Sequence, residues 1–245
     1  MEFIYECDDV FPVDFCNRVI EKYENSGKKF RGLVGVDAVL STDRKMSTDL
    51  RIYRDPEWVK EDNYFHETIR KAMKKYETFL LKMDVDDQVK KSMSYILNES
   101  HVYPPQIQRT RKSHSPETKW GSGDETSRRG SLGCEGREYY HWHHDQSRNF
   151  HWKLFTYIIY LNDVEEDSGG TTEFSCGKII QPKAGKIIFF PCTWTYFHRG
   201  KTLEKGIKYI ATNGLTSRPI REISLSRREI EERNKPVLPF TFSSK

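Results

Sequence analysis

From residue 153 to residue 214 the chain repeats one pattern: a short run rich in β-branched and aromatic residues, then a tight turn. The runs cover 153–161, 171–174, 178–181, 186–190 and 208–214, and the turns between them carry Gly169-Gly170 and Pro182-Lys183-Ala184-Gly185. Side chains branched at Cβ pack well on a pleated surface. Short strands at regular spacing, punctuated by glycine and proline, build an antiparallel sandwich or barrel. The expected class is α+β, mainly β, because helices precede this run. Residues 11–26 place Phe15, Val19, Ile20 and Tyr23 on one helical face, after Pro12 and Asp14 at the start. Residues 61–82 repeat Phe65, Ile69, Met73, Tyr76 and Leu80 at spacings of three and four. Both helices are expected to support a sheet.

Residues 94–108 read as a strand entering a loop at Pro104-Pro105. Residues 109–137 hold Trp120 and Leu132 among Ser, Gly, Arg and Lys, the composition of a long insertion. It is either unstructured or a lid over a site that the next strand begins. The expected organisation is one domain over 1–216, with helical support over 1–90, the β core from about 91 to 216 and the insertion at about 109–137. A tail follows over 217–245, with a short charged helix at 226–233.

Composition narrows the function. The net charge of +4 is unevenly placed: segments 109–137 and 218–245 each hold seven basic and four acidic residues, +3 apiece, and the rest of the chain is −2. Solvated loops account for that as well as nucleic acid does, and no nucleic-acid motif accompanies it. No stretch is long and apolar enough to span a bilayer. The opening Met1-Glu2-Phe3-Ile4-Tyr5-Glu6 lacks the basic start and apolar run of a signal peptide, so the expected location is cytoplasmic. The five cysteines form no CxxC pair, which argues for reduced thiols over a disulfide frame or structural zinc.

The chemistry is concentrated in three blocks. His141-Trp142-His143-His144-Asp145 reads as a strand, in which His143 and Asp145 share a face and His144 points away. His141 shares the face of His143 and either competes as a ligand or packs. His198 follows the apolar run 187–190 and Pro191. Two imidazoles and one carboxylate are the donor set that holds a non-haem iron on one face and leaves the other open. A His-x-Asp triplet alone is weak evidence, and a lone histidine after a strand is more often structural. Lys208 lies ten residues beyond His198, inside Ile207-Lys208-Tyr209-Ile210. A buried ammonium is costly without a partner, so this lysine either reaches solvent or meets an anion.

The blocks Tyr140-x-x-His143-x-Asp145, residues 157–163, Gly169-Gly170-Thr171-Thr172-Glu173-Phe174, Pro182-x-x-Gly185, His198-Arg199-Gly200 and Gly206-x-Lys208-Tyr209 resemble the iron- and 2-oxoglutarate-dependent dioxygenases, prolyl-4-hydroxylase-like branch. The resemblance covers about residues 138–215. It implies a double-stranded β-helix (jelly-roll) core. By it, His143, Asp145 and His198 would be the catalytic metal ligands for Fe(II). Lys208 would hold the distal carboxylate of 2-oxoglutarate, with the Tyr160 hydroxyl beside it. O2 would be the oxidant and ascorbate a compatible auxiliary. The implied activity is hydroxylation of prolyl residues in a peptide or protein, with 2-oxoglutarate decarboxylated to succinate and CO2. The carboxylate of Asp145 argues against halogenation, since it fills the position a halide would need. Two departures stand out. The additional tyrosine usual before the first histidine is missing at Gly133-Cys134, with Tyr103 or Tyr139 as substitutes, and the usual tryptophan near the last strand's end is replaced at Asn213-Gly214.

Other readings stay open on the sequence alone. They are a dioxygenase for a free amino acid, small molecule or nucleic-acid base, a jelly-roll protein that keeps a metal without turnover, a zinc hydrolase using the same three donors, and a basic nucleic-acid-binding module. Lys208 and the 169–174 block speak against the zinc hydrolase.

Overall fold

The computed structural model describes residues 2–32, 45–111, 139–146 and 152–219. The insertion over 112–137, His151 and the charged helix at 226–233 lie outside the described residues.

Thirteen strands and three α-helices are described. In chain order they are β1 (Tyr5–Cys7), α1 (Val13–Asn25), β2 (Phe30–Arg31), β3 (Lys45–Met46), β4 (Thr48–Arg51), α2 (Val59–Leu81), α3 (Asp87–Asn98) and β5 (His101–Val102). There follow β6 (Gln106–Arg111), β7 (Tyr139–His143), β8 (Lys153–Tyr160), β9 (Thr172–Phe174), β10 (Ile179–Ile180), β11 (Ile187–Pro191), β12 (His198–Gly200) and β13 (Ile207–Thr216). An eight-stranded sheet runs β1-β11-β8-β13-β6-β4-β2, with β5 also paired to β13. A five-stranded sheet runs β10-β9-β12-β7-β3. All pairings are antiparallel. The strand pattern predicts an antiparallel sandwich or barrel, and the two facing sheets form the jelly-roll core that the resemblance implies.

The period-two alternation of the large sheet divides two cores. Tyr157, Ile159 and Leu161 of the β8 region, Ile187 and Phe189 of β11, and Tyr209, Ala211 and Leu215 of β13 join the helices' apolar faces in one cluster. Phe65, Ile69, Met73, Tyr76 and Leu80 of α2 are all buried there, and Tyr76 stacks flat on Phe189 at 5.4 Å. The intervening residues Ile158, Tyr160, Ile188 and Phe190 point the other way and meet Phe174 and Ile180 of the small sheet. The site belongs to this second core, between the sheets.

Three expectations are corrected. Residues 94–98 are helical, the end of α3, and not the start of a strand. The Asp86 side chain accepts from the Gln88 N–H and caps this helix. Leu97 is buried, Met93 packs beside the core, and the β-prone Tyr95 and Ile96 lie exposed. The support over 1–90 is not purely helical, because β1 to β4 join the sheets. The insertion begins no earlier than 112, since Arg109 to Arg111 continue β6 and pair with Ile207, Lys208 and Tyr209 of β13.

Candidate metal centre

β7 and β12 lie side by side in the small sheet, with His143 directly opposite His198. Asp145 sits two residues on, just past the end of β7. One ligand atom from each of the three residues falls within 4.8 Å of the others. The imidazole centroids are 4.2 Å apart, and His143 Nε2 lies 3.7 Å from Asp145 Oδ1. The expected trio is therefore brought together, although Asp145 reaches it from beyond the strand.

The imidazole tautomers follow from their hydrogen bonds. His143 Nδ1 lies 2.7 Å from the His141 carbonyl oxygen and His198 Nδ1 lies 3.1 Å from that of Tyr196. A carbonyl only accepts, so both Nδ1 atoms carry the proton and both Nε2 lone pairs are free for a metal. Burial pushes the His143 imidazole down to about 3, reinforced by His198 and opposed by Asp145. Burial also lowers His198. Both rings are thus neutral at pH 7, the form that ligates. Burial would raise the Asp145 carboxyl, but the Lys153 ammonium and the two imidazoles outweigh it and hold the group far below the usual range. Two neutral imidazoles and one carboxylate fit Fe(II).

His141 contributes its carbonyl to His143 rather than a competing ring nitrogen. His144 turns away, as expected, and meets Phe197 edge-on at 5.1 Å. Sequence reading gave no role to four neighbours. Tyr140 stacks on His143 with centroids 3.6 Å apart. The Phe190 ring meets His198 at 4.8 Å. Lys153 Nζ pairs with Asp145 Oδ2 at 2.8 Å, and Thr156 Oγ1 donates to the same oxygen. The spacing of Thr156 held a signal, because it shares the inward parity of Ile158 and Tyr160.

A second polar group lies at the same level of the core. Lys208 has the inward parity of Ile210 and is 6% exposed. Its Nζ donates to the Gly170 carbonyl at 2.6 Å, and among the described residues no carboxylate pairs with it. Burial alone lowers its pKa to about 8. The acceptor is set by a Gly169-Gly170 turn in which both residues have positive φ, 72° and 70°. A Cβ on Gly169 would overlap the Thr202 carbonyl oxygen, so only glycine suits that position. The ammonium also lies beneath Gly200, two residues along β12 from His198, where an added Cβ would be 3.6 Å from Nζ. Gly200 is paired with Thr172, whose Oγ1 accepts from the buried Tyr160 hydroxyl at 2.7 Å. Lys208, Tyr160 and Thr172 thus gather behind the His-Asp-His cluster. Of the proposed substitutes for the missing tyrosine, Tyr103 stacks on Trp152 at 6.0 Å.

No curated protein matches the chain. Residues 131–213 match the family model of the 2OG-Fe(II) oxygenase superfamily. Among solved structures, the chain is similar to a viral collagen prolyl hydroxylase from Paramecium Bursaria Chlorella virus-1 in its 2OG complex. That pair is 19% identical, covers 89% of this chain and 97% of the other, and has a TM-score of 0.55. It is also similar to a Trichoplax adhaerens prolyl hydroxylase in complex with a hypoxia inducible factor oxygen degradation domain peptide fragment, at 13% identity, 92% and 89% coverage and a TM-score of 0.62. A Pseudomonas putida prolyl-4-hydroxylase matches at 12% identity, 89% and 95% coverage and a TM-score of 0.55. Residues 131–213 thus match a 2OG-Fe(II) oxygenase domain, and the chain shares the fold of these prolyl hydroxylases.

Proposed function

We propose that this dioxygenase hydroxylates prolyl residues in a peptide or protein, with His143, Asp145 and His198 holding Fe(II) and Lys208 anchoring 2-oxoglutarate. One observation carries the site assignment: three donors converge within 4.8 Å, and behind them lies a buried ammonium that the described residues leave without a carboxylate. Burying a charge that way is costly unless an anion arrives to share the site. A dicarboxylate is long enough to reach a metal at one end and such an ammonium at the other.

When bound, Fe(II) and 2-oxoglutarate supply the oxidation: O2 is consumed, the keto acid leaves as succinate and CO2, and one oxygen atom is inserted into a substrate C–H bond. The chain's share is positioning and exclusion of water. The His141 and Tyr196 carbonyls keep both imidazoles aimed by their Nε2 atoms. Tyr140 and Phe190 wall the rings with apolar faces. Lys208 places a buried ammonium beside Gly170 and Gly200, where Thr172 offers a hydroxyl. Ascorbate would serve as an auxiliary reductant, and the cytoplasm remains the proposed location.

The prolyl assignment is supported by the fold shared with three prolyl hydroxylases, one of them solved with a peptide fragment. The test is anaerobic loading with Fe(II) and 2-oxoglutarate, then air and a panel of proline-containing peptides, with succinate and hydroxyproline quantified by mass spectrometry. Peptide-dependent succinate with a +16 Da proline is the expected result. Succinate that rises only with free amino acids, other small molecules or nucleic acid would replace the substrate class. Metal binding without succinate under any condition would overturn the catalytic reading.

A further inference from the structure

We propose that Lys153 is a positioning residue that restricts Asp145 to a single metal-facing oxygen and thereby keeps a coordination position open for the cosubstrate. This rests on the metal-centre reading above.

The two oxygens of Asp145 have different surroundings. Oδ2 takes both the Lys153 ammonium, at 2.8 Å, and the Thr156 hydroxyl. Oδ1 faces His143 Nε2 at 3.7 Å. A carboxylate can give one oxygen or both to a metal ion. With Oδ2 consumed by two donors, one of them charged, only Oδ1 is available on the metal side.

The lysine is also housed for this position. It is 13% exposed in its side chain, and its stem runs across Gly214 of β13, the partner of Thr156. A Cβ on residue 214 would overlap Lys153 Cε and lie 2.8 Å from its Cγ. The missing side chain at 214 is therefore the space the lysine occupies. The Lys153 carbonyl accepts from the buried Cys192 Sγ at 2.8 Å, which pins the same residue from its backbone.

Charge points to the same role. The Lys153 ammonium lies 2.8 Å from the Asp145 carboxylate and offsets its charge. The pair therefore presents no net negative charge to an approaching dianionic keto acid. Without Lys153 only the neutral Thr156 hydroxyl holds the second oxygen, which is then freer to turn to the ion, and the carboxylate adds uncompensated negative charge. Each change opposes a chelating dianion more than it opposes the metal.

The experiment uses the full chain loaded anaerobically with Co(II), whose visible spectrum reports its coordination, followed by calorimetric titration with 2-oxoglutarate. Lys153→Met keeps the stem and removes the charge. It is expected to bind Co(II) within about threefold of wild type, with a changed Co(II) spectrum before cosubstrate is added. Its 2-oxoglutarate Kd should rise on the order of tenfold, about 1.4 kcal/mol. Lys153→Arg should restore most of that affinity. An unchanged 2-oxoglutarate Kd in Lys153→Met overturns the proposal. So does a parallel collapse of Co(II) binding, which would make Lys153 a mere structural support, or an Arg variant that behaves like Met. A wild-type protein that binds no Co(II), or binds it without responding to 2-oxoglutarate, would instead overturn the metal-centre reading itself.

Discussion

The two faces of the large sheet are built by the same strands from alternate residues, and they differ in kind. On the helix side, Tyr157, Ile159, Ile187, Phe189 and Ala211 meet α1 and α2 in a continuous apolar core. On the inner side, Thr156, Tyr160 and Lys208 stand among Ile158, Ile188 and Phe190, and they face His198 and Thr172 of the small sheet. One face can spend all its area on burial, worth roughly 25 cal/mol per Å² of apolar surface. The other carries buried polar groups that weaken the apo fold and gain value only with ligands. Stability should therefore reside mostly in one face and ligand binding in the other. A single residue step along β8 or β13 moves from one role to the other.

The largest expected effect breaks the inner face alone. His143→Ala, Asp145→Ala or His198→Ala should abolish tight Fe(II) binding and all succinate formation, while the thermal midpoint of the apoprotein is held in the two histidine variants and falls in Asp145→Ala, which strands the Lys153 ammonium. His143 and His198 are buried imidazoles, and removing a buried polar group relieves desolvation. Anaerobic Fe(II) titration with circular dichroism on the same samples checks both halves. Turnover in any of the three would end the triad assignment.

Next comes a matched pair across the two faces. Phe189→Ala should cost about 3–5 kcal/mol of stability, the usual range for a buried aromatic, with the 2-oxoglutarate Kd little changed in the protein that remains folded. Lys208→Ala should do the reverse: Kd raised on the order of a hundredfold, about 3 kcal/mol for loss of one partner of a buried charge pair, at little or no cost in stability. Urea denaturation and calorimetry on both variants test the pairing. Equal losses of stability in the two would show that the faces are not divided as drawn.

A smaller effect sharpens the inner face by pH. Burial lowers Lys208 to about 8 in the free protein, whereas an anion beside it favours the protonated form. Below pH 8 the ammonium is already charged and 2-oxoglutarate affinity should be flat. Above pH 8 binding must take up a proton, so Kd should rise by up to about tenfold per pH unit. The same linkage in the apoprotein runs the other way. The charged lysine costs stability below pH 8, and that cost is relieved as pH rises through 8 toward the unfolded value of 10.5. In Lys208→Arg, whose guanidinium stays charged over this range, the rise in Kd should vanish. A wild-type Kd that stays constant from pH 7 to 9.5 would remove Lys208 from the cosubstrate site.

What could be read from sequence followed the same division. Period-two runs and helical spacing identified β8, β11, β13, α1 and α2, because those elements have one strongly apolar face. The proposed site residues His143, Asp145, His198 and Lys208 stood out in the sequence because each is a costly residue type within or just past a strand. The misses have physical causes. α3 buries one fully enclosed side chain, Leu97, so its exposed Tyr95 and Ile96 looked like a strand. β2 to β4 are two to four residues long and are defined by pairing, β2 with β4, β4 with β6 and β3 with β7, which local pattern does not carry. Lys153 and Gly214 meet only through the β8–β13 register, 61 residues apart in the chain. The buried pair of Lys45 and Asp49, at 2.7 Å, is likewise visible only once β3 lies against Tyr140.

The smallest effect tests the residue that sits on the boundary between the two roles. Tyr160 is fully buried among Ile4, Ile158, Ile188 and Phe190, which makes it a core residue. Its hydroxyl donates to Thr172 Oγ1 beside Gly200 and Lys208, which places it at the proposed cosubstrate end. Burial raises its pKa well above the ordinary value, so it acts as a neutral donor throughout the working range. Tyr160→Phe keeps the ring packing and deletes one hydrogen bond, at about 1 kcal/mol. If the hydroxyl also orders Thr172 toward a bound carboxylate, the 2-oxoglutarate Kd should rise by about threefold to tenfold beyond any stability loss, with Fe(II) affinity unchanged. Calorimetry on Tyr160→Phe and Thr172→Val, singly and together, separates the two roles. Non-additive losses in Kd would make the pair one unit of the binding site. Unchanged affinity in both would assign Tyr160 wholly to packing and leave Lys208 as the sole proposed anchor for the distal carboxylate.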